Sequence, residues 1–389
     1  MKNPQSSGEV KIMNHENGKF SDIKYKSKDV DLLVDQSASL VSKIEKDFDK
    51  GVSIYGAGFL GKWAVEYLRS NGATVTNFID RDTKKDRTFL NGVQIFLPND
   101  PVLSSVSSMF IAARHAIKEV MEAMADYDFN LISFDCYYVI KNYKKLCYVR
   151  DNFFNDEKSV TVYNALLVAM LTGSTKSCRA VMEKDMYFSI PEFSGTFDET
   201  FVDAGAFVGD TVERFIWENL GTFRHIYAFE PGFTQFSALQ KRMLRLSDEW
   251  GFDMDRVTTV KAGLSSANCR MSCSFLEDSP LRHGLVTEDP KNKVDDLNSS
   301  EVYSLDSYLN GKAVSFIKVD IEGMEMELLK GAQETIRKFK PKMAICVYHY
   351  PSDLFEVAEF VRKLVPEYQF YLRQHAPIFG DFVLYCYVE

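Results

Sequence analysis

The chain has 389 residues, 46% hydrophobic and 26% charged, a globular composition that excludes a disordered polymer and is too long for one ordinary core. A formal charge of -9 excludes a broad phosphate-backbone partner, so no nucleic acid is expected. No run of about 18 apolar residues offers a membrane span, and the seven cysteines form no CxxC pair, so a cytoplasmic chain with reduced thiols is the expectation.

Residues 1–30 are polar and without a sustained period, and read as a mobile tail. Residues 31–138 open with the amphipathic helix DVDLLVDQSASLVSKIEKDF. They continue as GVSIYGAGFLGKWAVEYLRSNGATVTNFIDRD, which predicts a strand, a glycine turn, a helix and a second strand ending in Asp80. SSMFIAA and FNLISFDC, separated by a helical stretch, extend the alternation of a parallel sheet. Gly56, Gly58 and Gly61 complete a G-x-G-x-x-G between strand and helix, with Asp80 about twenty residues on, a spacing that suits a nucleotide phosphate and ribose. The same glycines also suit close packing of strand on helix.

Residues 139–196 read as a mostly helical connector ending in the turn-prone SIPEFSG. Residues 197–389 then alternate again. TFVDAG, HIYAFE, VTTVKAGL, SFIKVD and KMAICVYHY read as strands with helices between them, followed by YQFYLRQH and FVLYCYVE joined as an antiparallel hairpin. The predicted fold class is α/β with two Rossmann-like domains. The carboxy-terminal one is a mostly parallel, methyltransferase-type sheet ending in that hairpin.

In FVDAGAFVGDTVERFI, Gly205 and Gly209 permit a sharp turn and close ligand approach, and Asp203 and Asp210 surround it with negative charge. A pyrophosphate is poorly served there, whereas an adenosine ligand carrying sulfonium and ammonium groups is served well. Glu230, at the end of the next strand, can accept both ribose hydroxyls. The alternative is that Asp203 caps a helix and Glu230 starts a loop. Asp320 and Glu322 follow SFIKV, and His349 follows the next strand, all at the carboxyl edge of the sheet where ligands bind. Arg373 and His375 end the first hairpin strand and are candidate substrate contacts. For methyl transfer to oxygen, His349 is the first candidate base, with Asp320 or Glu322 orienting it or the acceptor. The alternative gives Glu322 a helix-dipole role and His349 a strand-end role. A divalent metal on Asp320, Glu322 and His349 is compatible by ligand type, but none is expected.

The ordered blocks MYF, FVDAGAFVGDT, YAFEP, SLDSYL, FIKVDIEGMEMELLKGA, VYHYPSDLFEV and YQFYLRQHAPIFGDFVLY resemble the FkbM family of S-adenosylmethionine-dependent O-methyltransferases. The resemblance implies S-adenosylmethionine as cofactor, with Asp203, Gly205, Ala206, Gly209, Asp210 and Thr211 lining its methionine and central region and Glu230 holding its ribose. It places Leu264 and Ser265 near adenine; Asp306 belongs to the family pattern, although an N-cap role explains it equally. The region from Val52 to Ala113 also resembles the small Rossmann-like domain that precedes sugar acyltransferases, which implies a nucleotide sugar at Gly56, Gly58, Gly61 and Asp80, or a degenerate relic of such a site, more than NAD.

The leading expectation is therefore O-methyl transfer to a hydroxyl of a sugar, nucleotide sugar or glycan precursor in polysaccharide biosynthesis, with oligomerisation left open. Two alternatives are a nicotinamide-dependent sugar oxidoreductase, for which no Tyr-x-x-x-Lys accompanies the fingerprint, and a non-catalytic nucleotide-binding sensor or scaffold.

Overall fold

A computed structural model describes residues 25–275, 283–286 and 299–389. The expected tail, residues 1–30, lies outside them except for its last six positions. Two compact units emerge: residues up to Ile140 together with Asn164–Ala180, and Lys141–Tyr163 together with Val181–Glu389. The helical residues between 139 and 196 are thus shared between the two units.

The first unit holds a six-stranded sheet of β1 (Val52–Tyr55), β2 (Val75–Ile79), β3 (Phe89–Leu90), β4 (Val93–Phe96), β5 (Ser108–Ile111) and β6 (Asn130–Ser133), in the order β3-β4-β2-β1-β5-β6. All its neighbours pair in parallel except β3 and β4, which form a hairpin across Asn91-Gly92, both at positive φ. That pair of residues is the strongest short hairpin signal in a chain. FNLISFDC is extended only to Ser133, because a 19-residue helix, Phe134–Asn152, begins at once.

The second unit holds a seven-stranded sheet of β7 (Thr200–Ala204), β8 (His225–Phe229), β9 (Val257–Val260), β14 (Phe316–Val319), β15 (Lys342–Cys346), β16 (Gln369–Gln374) and β17 (Phe382–Tyr387), in the order β9-β8-β7-β14-β15-β17-β16. Strands β7, β8, β9, β14 and β15 run parallel, and β17 is inserted antiparallel between β15 and β16. The expected hairpin forms, in register Gln369 opposite Tyr387 through Gln374 opposite Phe382. Continuous apolar strands are what a sheet covered on both faces requires, and β7, β14, β15 and β17 are buried at every position. Phe193, Phe201, Phe215, Phe316 and Tyr385 pack in edge-to-face and stacked pairs on one face of it.

A four-stranded sheet in the order β10-β13-β11-β12 lies outside the sequence expectation. It is built from β10 (Ala262–Leu264), β11 (Cys269–Phe275), β12 (His283–Val286) and β13 (Ser299–Tyr303). The sequence offers little pattern there: β10, β12 and β13 are short, and Ser272, Ser274, Ser299 and Ser300 interrupt the apolar positions of β11 and β13, so their pairing is poorly advertised by hydrophobic pattern.

Candidate functional site

The chain leaves β7 through Gly205, at φ 81, and enters the helix Asp210–Glu218 through Gly209, at φ 84. Both glycines are required by space as well as by φ. A Cβ on Gly205 would overlap the Asp320 carbonyl oxygen, and one on Gly209 would press within 2.7 Å of Leu239. The N–H groups of Gly205 and Ala206 both donate to the Phe229 carbonyl, at 3.1 and 2.9 Å, which ties the turn to the end of β8. Asp210 and Thr211 begin the helix, with Asp210 exposed.

Glu230 follows β8 and is 5% exposed. Its Oε2 accepts the Phe207 N–H at 2.9 Å and its Oε1 the Gly232 N–H at 2.7 Å. Burial pushes the Glu230 carboxyl up to about 7, against the pull of those two N–H groups. Asp203, the fourth residue of β7, is fully buried. Its Oδ1 lies 3.0 Å from the Lys318 ammonium as an ion pair, and neither of its oxygens accepts a hydrogen bond among the described residues. Burial pushes the Asp203 carboxyl up, with Lys318 opposing. Burial likewise works against the charge on Lys318, but Asp203 and Asp320 hold it above the usual lysine value.

On the other side of β7, β14 delivers Asp320. The Tyr187 hydroxyl donates to its Oδ2 at 2.9 Å and the Tyr348 hydroxyl to its Oδ1 at 3.2 Å. Despite burial, Lys318 and His349 keep Asp320 below the usual carboxylate value. The His349 ring is surrounded by carboxylates: Nδ1 lies 3.1 Å from Glu325 Oε1, and Nε2 lies 3.5 Å from Glu322 Oε2 and 3.9 Å from Asp320 Oδ1. Burial opposes a charge on this imidazole, yet Glu325, Glu322 and Asp320 raise its pKa well above that of an ordinary histidine. This arrangement favours the imidazolium form of His349, which has no lone pair with which to take a proton. Glu322 adopts φ 55, an uncommon conformation for glutamate that places it between the strand end and Gly323. Asp320, Glu325 and His349 bring potential ligand atoms within 4.8 Å of one another, the one such group among the described residues.

Not every candidate converges on this edge. Arg373 is buried and committed elsewhere in its unit: Nη2 to Asp156 at 2.5 Å, Nη1 to Ser159 at 2.9 Å, and Nε to Glu183 at 3.1 Å. His375 contacts the Glu183 carbonyl through Nδ1 and the Tyr385 hydroxyl through Nε2, and burial depresses its pKa. Leu264 and Ser265 are both buried at the end of β10, with the Ser265 N–H donating to the Tyr303 carbonyl. The Asp306 carboxylate accepts from the N–H groups of Glu334 and Thr335, so it caps the helix Gln333–Phe339, whereas its own helix is capped by Ser304. Lys318, Tyr187, Tyr348 and Glu325 escape the sequence reading. A lysine inside an apolar strand and a glutamate in a helix's first turn look like surface residues until their partners, distant in sequence, are known.

In the first unit Gly56 sits at φ 103, and a Cβ on Gly61 would overlap the Gly56 carbonyl oxygen, so these two glycines are demanded by strand–helix contact. Gly58 differs: no atom lies within 4 Å of the position its Cβ would take. Asp80 accepts the Ala57 N–H at 2.7 Å and the Asp82 N–H at 2.9 Å, and lies 3.4 Å from the Lys85 ammonium.

Residues 203–372 match the methyltransferase FkbM domain. Among solved structures, the methyltransferase FkbM from Methylobacillus flagellatus KT is similar with a TM-score of 0.57 at 20% identity, covering 92% of this chain and 98% of that one. Partial similarity extends to Aeropyrum pernix fibrillarin in complex with S-adenosyl-L-methionine (9% identity, 51% of this chain, 69% of that one, TM-score 0.31). It also extends to UDP-D-quinovosamine 4-dehydrogenase from Vibrio fischeri (26% identity, 24% of this chain, 84% of that one, TM-score 0.20). No curated protein matches the chain. Among the described residues no helix is long and apolar enough to cross a membrane. The strand order, the glycine turn after β7 and the carboxylate after β8 all fall inside or beside that matched segment, and residues 203–372 are a methyltransferase FkbM domain.

Proposed function

We propose that the second unit transfers a methyl group from S-adenosylmethionine to a hydroxyl of a sugar, nucleotide sugar or glycan precursor. The observation that carries this reading is the pairing of the Gly205–Gly209 turn with Glu230 at adjacent strand ends. The residues suit the cofactor. The buried Asp203 Oδ2 has accepting capacity left, and each Glu230 oxygen accepts one backbone N–H and keeps a lone pair for a ribose hydroxyl. Asp203, Gly205, Ala206, Gly209, Asp210 and Thr211 would hold the methionine and central part, Glu230 the ribose, and Leu264 with Ser265 the adenine end. The cofactor supplies an electrophilic methyl on a sulfonium. The protein's task is alignment of donor and acceptor, which can be worth about 7 to 11 kcal/mol of the barrier.

On the acceptor side, Asp320 is the better base of the candidates. It is held ionised, its side chain remains 23% exposed, and its oxygens point toward Tyr187 and Tyr348 at the sheet edge. His349, as an imidazolium, then orients Asp320 and Glu322 rather than taking the proton itself. Incubation of the full chain with labelled S-adenosylmethionine and a panel of nucleotide sugars and glycans tests transfer and acceptor class together. Absence of label transfer from a protein that binds S-adenosylhomocysteine would sink the acceptor class.

In the first unit we propose a nucleotide sugar at the Gly56–Gly61 turn. The supporting observation is Gly58, whose missing side chain serves no contact of the protein's own and leaves room over the start of the helix Phe59–Ser70.

A further inference from the structure

Lys318 is 2% exposed, in β14 at the centre of the seven-stranded sheet. A charged ammonium is retained in such a place only where every donor is satisfied. Its ammonium donates to Gly205 O at 2.6 Å and to Ala204 O at 3.3 Å, and Asp203 Oδ1 lies 3.0 Å away as its ion-pair partner. The Tyr187 ring lies 5.4 Å away on a further side.

Both acceptors are main-chain carbonyls where the chain turns out of β7, and the shortest contact is to the turn glycine rather than to the carboxylate. Lys318 therefore holds the inner side of the turn while Glu230 holds its outer side through the Phe207 N–H. Rotation of the Ala204–Gly205 and Gly205–Ala206 peptides would break the lysine contacts and strand its charge. The same ammonium lies in the field of Asp320 and keeps that group ionised. One side chain on β14 thus acts on both sides of the pocket.

We propose that Lys318 is a positioning residue of the methyl-donor site: its bonds to the Gly205 and Ala204 carbonyls fix the glycine turn in the shape that receives the cofactor. This inference rests on the methyl-donor reading of the second unit. The competing account is that Lys318 only neutralises Asp203, and the two differ in a double-variant comparison.

The full chain is prepared as wild type, Asp203→Asn, Lys318→Met, Lys318→Arg and the double variant Asp203→Asn/Lys318→Met. S-adenosylhomocysteine affinity is measured by calorimetry, and amide exchange over residues 203–211 is followed without ligand. Under the positioning account the double variant binds at least tenfold more weakly than Asp203→Asn alone, because the carbonyls have lost their donor. Its turn amides exchange at least tenfold faster than wild type, while those of the helix Asp353–Leu364 do not change. Lys318→Arg, which keeps charge and donors, stays within about fivefold of wild type. If neutralisation is the whole role, the double variant binds as tightly as Asp203→Asn or more tightly, since it no longer buries a lone lysine, and the turn amides stay protected. That result overturns the inference. Wild-type protein that fails to bind S-adenosylhomocysteine at millimolar concentration refutes the methyl-donor reading instead, and turn exchange still decides whether Lys318 fixes the turn. Should Lys318→Met not fold, Lys318→Arg and Asp203→Asn carry the comparison: loss of turn protection in Asp203→Asn, with Lys318 still present, also overturns it.

Discussion

Glu230→Gln separates what Glu230 does for the fold from what it does for a ligand. In the folded chain its carboxyl sits near 7 rather than at the usual 4.5, because burial disfavours the charge more than the Phe207 and Gly232 N–H groups favour it. A carboxyl with a raised folded pKa stabilises fully below its unfolded value, and that contribution is lost as pH rises through the folded value. The shift from 4.5 to about 7 corresponds to ~3 kcal/mol, lost between pH 4.5 and 7 and absent above it. Glutamine does not titrate, so the stability difference between variant and wild type should move in the variant's favour by up to ~3 kcal/mol from pH 5 to pH 8. A constant offset of about 1–3 kcal/mol against the variant is expected at every pH, because its amide nitrogen faces one of the two backbone donors. Guanidinium unfolding of the full chain at several pH values gives the slope free of the offset. Ribose hydroxyls donating to Glu230 favour the ionised form, so S-adenosylhomocysteine should bind wild type more tightly as pH rises toward 7. Glu230→Gln should lose this dependence together with about 1.5–3 kcal/mol of affinity, roughly tenfold to 150-fold. Identical unfolding slopes for the two proteins would show that Glu230 is not perturbed by burial, and unchanged affinity at pH 8 would remove it from the ribose site.

Gly58→Val should cost the first unit no more than about 1 kcal/mol, the loss of a glycine N-cap with nothing within 4 Å of the new Cβ, while removing binding of a UDP-sugar probe by calorimetry; S-adenosylhomocysteine binding should persist. Gly61→Ala should cost about 1–3 kcal/mol in thermal unfolding, because its Cβ would overlap the Gly56 carbonyl oxygen and the turn must shift. His349→Ala leaves Glu325 buried without its cation, for which about 3–5 kcal/mol of stability is expected to be lost in guanidinium unfolding of the full chain. With an acceptor from the labelled panel, Asp320→Asn should lower the single-turnover rate about 10²- to 10⁴-fold with S-adenosylhomocysteine affinity nearly unchanged, and a change under about threefold would return the base assignment to Glu322.

The parts of the fold legible in the sequence are those in which one residue pattern answers to one constraint. Largely apolar runs at Phe201–Ala204, Phe316–Val319 and Met343–Cys346, interrupted by Asp203 and Lys318, demand a sheet covered on both faces, and they form its buried centre. Glycines at Gly56, Gly205 and Gly209 mark turns because all three take positive φ. The smaller sheet is not legible because short polar strands signal loops as strongly as strands. For the site, sequence order identifies which residues reach the carboxyl edge but not their charge. His349 reads as a base from its type and place, and only the three carboxylates around it, contributed from 320 to 325, reveal that its protonated form is favoured. Arg373 and His375 read as substrate contacts from their strand end, but their polar atoms face Asp156 and Glu183, positions that no local pattern connects to them.

The two units use one device twice. After the first strand a glycine turn leads into a helix, and an acidic residue at the end of the adjacent strand accepts an N–H from that turn: Ala57 to Asp80 in the first unit, Phe207 to Glu230 in the second. The bond alone therefore does not distinguish a ligand site from a braced turn, since it shapes the turn either way. What differs is the charge behind it. Asp80 is partly exposed and backed by Lys85, a cation that favours a phosphate-bearing ligand over the helix start. Glu230 is buried with a fully buried Asp203 nearby and Asp320 beyond, and Lys318 is the cation shared among them. Asp203 and Asp320 both lean on the one ammonium of Lys318, a charge environment that suits a cationic sulfonium better than a dinucleotide's pyrophosphate. On the functions proposed above, the two turns share a backbone geometry that suits a nucleotide, and the charge behind each suits a different one.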